Sequence, residues 1–222
     1  MSNPPGRLIG TGRAADVYDL ADGTVLRRYR TPHDSELEAR AMIWLSEHGD
    51  TALPRVHDAS GRDLVMDRVP GPTMMEDLEA RPWRIVGHAR TLAHLQRRLN
   101  AIDAPAWFPE RSGVPAGGKV LHLDLHPMNI ILGPDGPSII DWTNAARGQG
   151  SFDAAMSFAL MSGFEVDGVK DRAGRRLMVE VFARSRGRRA IRGRLPEAVR
   201  FRLADPHVTP GERLRLQAML GG

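Results

Sequence analysis

The sequence predicts an α+β chain in two lobes: a small antiparallel-sheet lobe over residues 1–69 and a mainly helical lobe over residues 70–222. Three observations predict it. Residues up to 69 run strand, strand, strand, helix, strand, strand. Pro70-Gly71-Pro72 is the clearest breaker cluster in the chain. Beyond it, apolar residues recur mostly at helical spacing.

The elements follow in order. Between Arg7 and Tyr29, Leu8-Ile9 is short and apolar, Gly10-Thr11-Gly12 makes a turn, and Ala15 to Leu20 alternates at period two. Asp22-Gly23 is a hairpin signal, and Thr24 to Tyr29 is the return strand. Asp34 or Ser35 can cap the next helix, with Glu38 as the capping-box partner of Ser35. That helix runs to about His48, stops at Gly49 and buries Leu37, Ala41, Ile43 or Trp44, and Leu45. Arg55–Asp58 and Asp63–Met66 form a second hairpin around Ser60-Gly61. In the second lobe, Arg84 to Leu99 has a helical stripe of Ile85, Ala89, Leu92, Leu95 and Leu99, and residues 105–118 form a loop. Two short apolar runs follow, over 119–132 and 138–141. Helices are expected over 152–161, 175–183, 196–203 and 211–220.

Composition narrows the function classes. Hydrophobic residues make up 41% of the chain and charged residues 26%, which is ordinary for a globular protein. With no cysteine, disulfide scaffolds, cysteine zinc sites and thiol catalysis are excluded. Met1-Ser2-Asn3-Pro4-Pro5 lacks the basic start and apolar run of a signal peptide. No apolar run approaches the roughly 20 residues of a spanning helix, so no membrane partner and a cytoplasmic location are expected. The charge is uneven: residues 170–222 carry 14 Lys or Arg against 5 Asp or Glu, and the preceding 169 residues carry 17 against 22. A basic segment can bind nucleic acid. No nucleic-acid motif accompanies this one, so a solvated basic helical surface is the expectation.

The chemistry concentrates in Leu121-His122-Leu123-Asp124-Leu125-His126-Pro127-Met128-Asn129 and in Ile139-Ile140-Asp141-Trp142. Phosphoryl transfer needs a carboxylate to orient a hydroxyl and take its proton, and oxygen ligands for the Mg²⁺ that bridges the phosphates. An Asp, an Asn five residues on and a second Asp on an adjacent apolar strand supply that set. An ordinary turn would need neither the second Asp nor the apolar flanks. A zinc site of His122, Asp124 and His126 would need a helix, which Pro127 and the strand-like flanks oppose.

His-x-Asp-x-x-x-x-Asn followed by an Asp on the next strand resembles the catalytic and metal loops of protein kinases. His126-Pro127, Ile140-Asp141-Trp142 and Phe152-Asp153 make the chain similar to the aminoglycoside phosphotransferase and choline kinase group over about residues 8–160. The resemblance implies a two-lobed protein-kinase-like fold and transfer of the γ-phosphate of ATP, or GTP, to a hydroxyl of a small molecule. It implies Asp124 as catalytic base, Asn129 and Asp141 as Mg²⁺ ligands, and His122 and Asp153 as supports of the loop. His126 has two readings, phosphate contact or loop support. Gly10 and Gly12 would fold backbone N–H groups over the phosphates. Glu38 would face the third strand, where the family places a lysine and this chain places Arg27. Met66 to Val69 would be the hinge, with backbone of Asp67 and Val69 meeting the adenine. A basic C-terminal region favours a neutral or anionic hydroxyl compound over a polycationic acceptor. The alternative is a nucleotide-binding pseudokinase in which Arg27 abolishes transfer. The oligomeric state has no signature in the sequence.

Overall fold

A computed structural model describes residues 6–12, 14–32, 34–49 and 52–221. The opening Met1–Pro5 stretch lies outside them. The chain divides into two compact units, residues 1–71 with 131–143, and residues 72–130 with 144–222.

The first unit is built on a five-stranded antiparallel sheet of β1 (Arg7–Thr11), β2 (Ala15–Asp19), β3 (Thr24–Tyr29), β4 (Val56–Ser60) and β5 (Asp63–Asp67), in the order β1-β2-β3-β5-β4. β3 lies at the centre and is the most buried strand. Helix α1 (Ser35–His48) packs against β4 and β5. Asp34, not Ser35, is its N-cap and accepts from the Leu37 amide at 2.9 Å. Ser35 is the first helical residue, and its hydroxyl donates to the Asp63 carbonyl. Glu38 therefore makes no capping box and is left for β3. The buried stripe of α1 is Glu38, Ala41, Met42 and Leu45. Ile43 falls off that i, i+3, i+4, i+7 row and is exposed, contrary to expectation.

At the breaker cluster, Gly71 has φ 127°, and a Cβ there would lie 2.3 Å from the Leu132 carbonyl oxygen. Only glycine fits that backbone and that approach. β7 (Ile130–Gly133) and β8 (Gly136–Ile139) form a hairpin, most of which belongs to the first unit.

The second unit is mainly helical: α2 (Met74–Ala80), α3 (Ile85–Leu99), α4 (Gly150–Gly163), α5 (Gly168–Arg186), α6 (Arg188–Leu203) and α7 (Pro210–Ala218). α2 escaped the sequence reading although Thr73 and Glu76 form a full capping box. It is only seven residues long, too short to show periodicity. β6 (Lys119–Leu121) pairs with an unexpected β9 (Ala146–Gly148), whose small and charged residues carry no alternating pattern. α6 runs through Pro196, which was expected to start the helix. α4 is almost wholly buried and touches α5, α6 and α7. It presents Phe152 edge-on to Phe201, with ring centroids 5.7 Å apart. Among the described residues no helix is long and apolar enough to cross a membrane.

Candidate active site

In the second unit, buried Val120 and Leu121 of β6 lead directly into the loop that carries Asp124 and Asn129. Leu123 has φ 64°, a left-handed conformation that a branched side chain enters only under constraint. The constraint is Asp153. From the first turn of α4, fully buried, its Oδ1 accepts the Leu123 N–H at 2.7 Å. Its Oδ2 accepts Asn100 Nδ2 at 2.8 Å. Asn100 also donates to the Val120 carbonyl and accepts from Arg186 Nη2 at 2.7 Å. Arg186 reaches Gln96, which bonds the Asp153 carbonyl and Ser157. Burial lowers the Arg186 pKa, and the Asp153 carboxylate opposes that shift. Gln96, Asn100, Ser157 and Arg186 were not anticipated. The available signal was Gln96 inside the apolar stripe of α3, where a polar side chain needs a buried partner.

The left-handed turn at Leu123 aims the next residue. Asp124 donates its amide to Nδ1 of buried His122 at 3.3 Å, so the ring proton of a neutral His122 is on Nε2. Asn129 donates Nδ2 to the Asp124 carbonyl at 2.8 Å and to Oδ2 at 3.3 Å. This fixes the amide by its nitrogen and leaves its carbonyl oxygen directed elsewhere. His126 accepts from the Met128 amide through Nδ1, and its Nε2 faces Asp124 Oδ1 at 3.7 Å. Among the described residues no group of three or more His, Cys, Asp or Glu gathers as a metal cluster.

In the first unit, Asp141 lies two residues beyond β8, with φ 63°. Buried Arg27 on β3 donates Nη2 to Asp141 Oδ1 at 2.6 Å and to Thr143 Oγ1 at 3.0 Å, and Nη1 to Glu38 Oε1 at 3.4 Å. The guanidinium lies 5.0 Å from the centroid of the Tyr29 ring. Tyr29 donates its hydroxyl to Glu38 and meets Thr143 Oγ1 at 2.8 Å, while Thr143 donates to Asp141 Oδ1 at 2.8 Å. Burial alone would lower the Arg27 pKa, but the Asp141 and Glu38 carboxylates more than offset it, so the net shift is upward. Burial and the Glu38 charge raise the Tyr29 phenol well above its usual range. Tyr29 and Thr143 were also missed. Tyr29 reads as an ordinary strand aromatic, and only the position of Thr143 two residues after Asp141 hinted at a role.

Gly10 pairs with Val17 just after a bulge in β1, and Gly12 closes the turn by donating to the Ala15 carbonyl at 2.9 Å. A Cβ on Gly12 would lie 3.3 Å from that carbonyl oxygen. Arg30 braces the turn, bonding the Gly12 carbonyl at 2.9 Å and pairing with Asp16. At the other end of the sheet, Asp67 accepts from or donates to His57 Nε2 at 2.6 Å and gives its amide to the Arg55 carbonyl, while the Arg68 amide goes to the Gly23 carbonyl. Val69 follows Arg68 immediately and precedes the breaker cluster.

No protein-family model matches the chain, and no curated protein does. Solved structures do. A thermostable mutant of aminoglycoside phosphotransferase APH(4)-Ia in its apo form aligns with a TM-score of 0.68 at 14% identity, over 96% of this chain and 93% of that one. A ternary complex of that enzyme with AMP-PNP and hygromycin B aligns with the same TM-score and identity, over 96% and 92%. The gentamicin complex of APH(2")-IIa gives 0.63 at 14% identity, over 96% and 87%. The chain has the two-lobed, protein-kinase-like fold of the aminoglycoside phosphotransferases.

Proposed function

We propose that this protein is a Mg²⁺-dependent phosphotransferase that moves the γ-phosphate of ATP, or GTP, to a hydroxyl of a small molecule. One observation carries the proposal: a partly exposed Asp124 carboxylate on a strained loop that six buried or half-buried polar residues exist to hold. Such an outlay of buried polar groups is hard to explain for a surface turn. The fold likeness supports nucleotide chemistry, since solved relatives were obtained with AMP-PNP and with ADP.

Asp124 is the general base, orienting the acceptor hydroxyl and taking its proton on a carboxylate oxygen. Asn129 Oδ1 and the Asp141 carboxylate are the ligands offered to Mg²⁺. Two oxygen donors fit a hard cation that takes the rest of its shell from phosphates and water. When bound, magnesium would supply positive charge against that of the phosphates. Gly10 and Gly12 supply backbone N–H groups to the phosphates. Glu38 orients Arg27, which stands where a lysine is usual, and backbone near Asp67 and Val69 receives the base. His122 and Asp153 support the loop. The acceptor is a hydroxylated small molecule, neutral or anionic given the basic C-terminal region. Aminoglycosides are what the solved relatives bind.

The test is nucleotide binding and turnover with a panel of hydroxylated acceptors, for wild type beside Asp124→Ala and Asp141→Ala. The expected result is nucleotide binding by all three, weaker Mg²⁺ dependence in Asp141→Ala, and acceptor-stimulated turnover that Asp124→Ala abolishes. Binding without turnover on any acceptor would favour the pseudokinase. No nucleotide binding in the wild type would sink both.

A further inference from the structure

The arginine surplus of residues 170–222 enters that reading only through the charge of the acceptor, and the structure gathers some of it near one end of α5. α5 carries Val169, Arg172 and Arg176 at i, i+3 and i+7, all exposed, with half-buried Arg175 beside them. Arg175 Nη1 donates to the Phe164 carbonyl at the C-terminal end of α4, at 2.6 Å. Its pKa is lowered by burial and then by the neighbouring charges of Arg215, Arg176 and Arg172. Arg172, Arg176 and Arg215 therefore all stand near Arg175. Glu165 stands 4.0 Å from Arg215, but it is shared with the N-terminus of α7, where it accepts from Thr209 and the Glu212 amide. Among the described residues no carboxylate pairs with Arg172 or Arg176. A surface patch of like charge attracts an oppositely charged partner.

The segments that carry these arginines also expose apolar side chains. Phe164, Val169, Leu177 and Leu214 are exposed by 40%, 74%, 43% and 69%, four of the ten large hydrophobic side chains that the described chain leaves in solvent. The contacts of Glu165 with Thr209 and Arg215 bring the Phe164 segment and α7 together. Between α4 and α5 a shallow groove of about 500 Å³ opens beside the arginines, with Phe158, Leu177 and Val179 among its apolar lining and Arg175 and Arg176 among its polar lining. Glu180, which also lines it, is held by Arg184 and Arg188.

We propose that this face docks on anionic phospholipid bilayers, with Arg172, Arg175, Arg176 and Arg215 on the lipid phosphates and Phe164, Val169, Leu177 and Leu214 in the headgroup layer. Arginine stems and protruding apolar side chains together suit an interface that is charged at its surface and apolar beneath. A nucleic acid would use the arginines but offer nothing to Val169 and Leu214 at this exposure. A small anion would need one or two arginines, not four spread over two helices. The lack of a spanning segment has no bearing on a peripheral contact, and the proposal stands apart from the phosphotransfer reading.

Vesicle co-sedimentation of the full chain tests it, with phosphatidylcholine alone and with phosphatidylcholine plus phosphatidylglycerol. The expected result is binding to the phosphatidylglycerol vesicles only. Arg172→Gln and Arg176→Gln should each weaken it about fivefold and together about thirtyfold, since a basic residue near an anionic surface contributes about 1 kcal/mol. Val169→Ser with Leu214→Ser should weaken it at high as well as low salt. All four side chains are exposed, so the melting temperature should hold. Failure to bind phosphatidylglycerol vesicles, equal binding to both vesicle types, or indifference to the arginine pair would overturn the proposal. So would tighter binding to duplex DNA than to the vesicles.

Discussion

Asp153→Asn changes one atom type and nothing in shape, and the structure states what that costs. The asparagine can keep the Leu123 N–H on its remaining oxygen. Its new NH₂ then faces Asn100 Nδ2, which is a donor at 2.8 Å. Asn100 cannot turn over to offer its oxygen, because that oxygen accepts Arg186 Nη2 at 2.7 Å and its nitrogen serves the Val120 carbonyl at 2.9 Å. The variant therefore loses one charge-assisted hydrogen bond and leaves a buried donor unpaired, and Arg186 loses a neighbouring anion. With about 1.5–3 kcal/mol for the first and about 1–3 kcal/mol for the second, the expected loss is about 3–5 kcal/mol. In a chain of this size that is a fall in melting temperature of about 6–20 °C. The assay is equilibrium unfolding in urea, run beside turnover at saturating nucleotide. Turnover should fall with little change in KM, because a neutral amide oxygen holds the Leu123 N–H more weakly than the carboxylate did, and Asp124 moves with that loosened loop. In an Asn100→Ala background the same substitution should cost less, since the opposing donor is gone. A loss below about 1 kcal/mol in the wild-type background would refute the assignment of Asp153 as the anchor of the loop.

Three further outcomes follow from the same kind of reasoning. Arg27→Lys keeps the charge, but a single ammonium cannot span Asp141, Thr143 and Glu38 at once. Thermal unfolding should show a loss of about 2–4 kcal/mol, and a melting temperature equal to wild type would mean that the three contacts are dispensable. Thr73→Ala removes the capping box of α2 and should cost about 1 kcal/mol in urea, with Thr73→Ser restoring most of it. Asp77, buried on α2, is pulled down to about 2 by His88 first and then by Arg81 and Arg84. A carboxyl depressed in the folded state stabilises above its unfolded pKa and loses that contribution as pH falls through the folded value. The stability difference between wild type and Asp77→Asn should hold above the ordinary value of 3.8, shrink as pH falls through about 2 and level off below it, whereas a difference that does not change across that range would refute the shift.

The sheet of the first unit was legible because its strands are bounded by glycine turns and its central strand is apolar. Gly23 and Gly61, both at positive φ, stand where hairpin signals were read. Helices were legible where an apolar stripe ran for three turns, as in α3, and not where length or composition hid it. α2 spans only about two turns, too few for a stripe to stand out, and α5 and α6 are rich in arginine, so only their central apolar residues showed. Glu38 illustrates a different limit. Its spacing from Ser35 fits a capping box, and its spacing from Asp34 decides which helix start is real. Local sequence offers both, and the buried Arg27 on β3 selects between them.

The residues that hold the candidate site were the least legible, for a physical reason. Asp124, Asn129 and Asp141 announce themselves because their types and spacing are dictated by the chemistry proposed for them. The side chains that aim them answer only to local geometry, and the same aim can be achieved by many residue types. Arg27 makes the point. Read alone it is a departure from lysine, of uncertain use to a nucleotide. In the structure its planar fork meets Asp141, Thr143 and Glu38, with Tyr29 beneath it closing the ring of contacts from Glu38 back to Thr143. A lysine could not make the guanidinium's contacts to Thr143 and to both carboxylates at once. The arginine, the tyrosine two residues on and the threonine two residues past Asp141 therefore form one arrangement, and each is intelligible only with the other two in place.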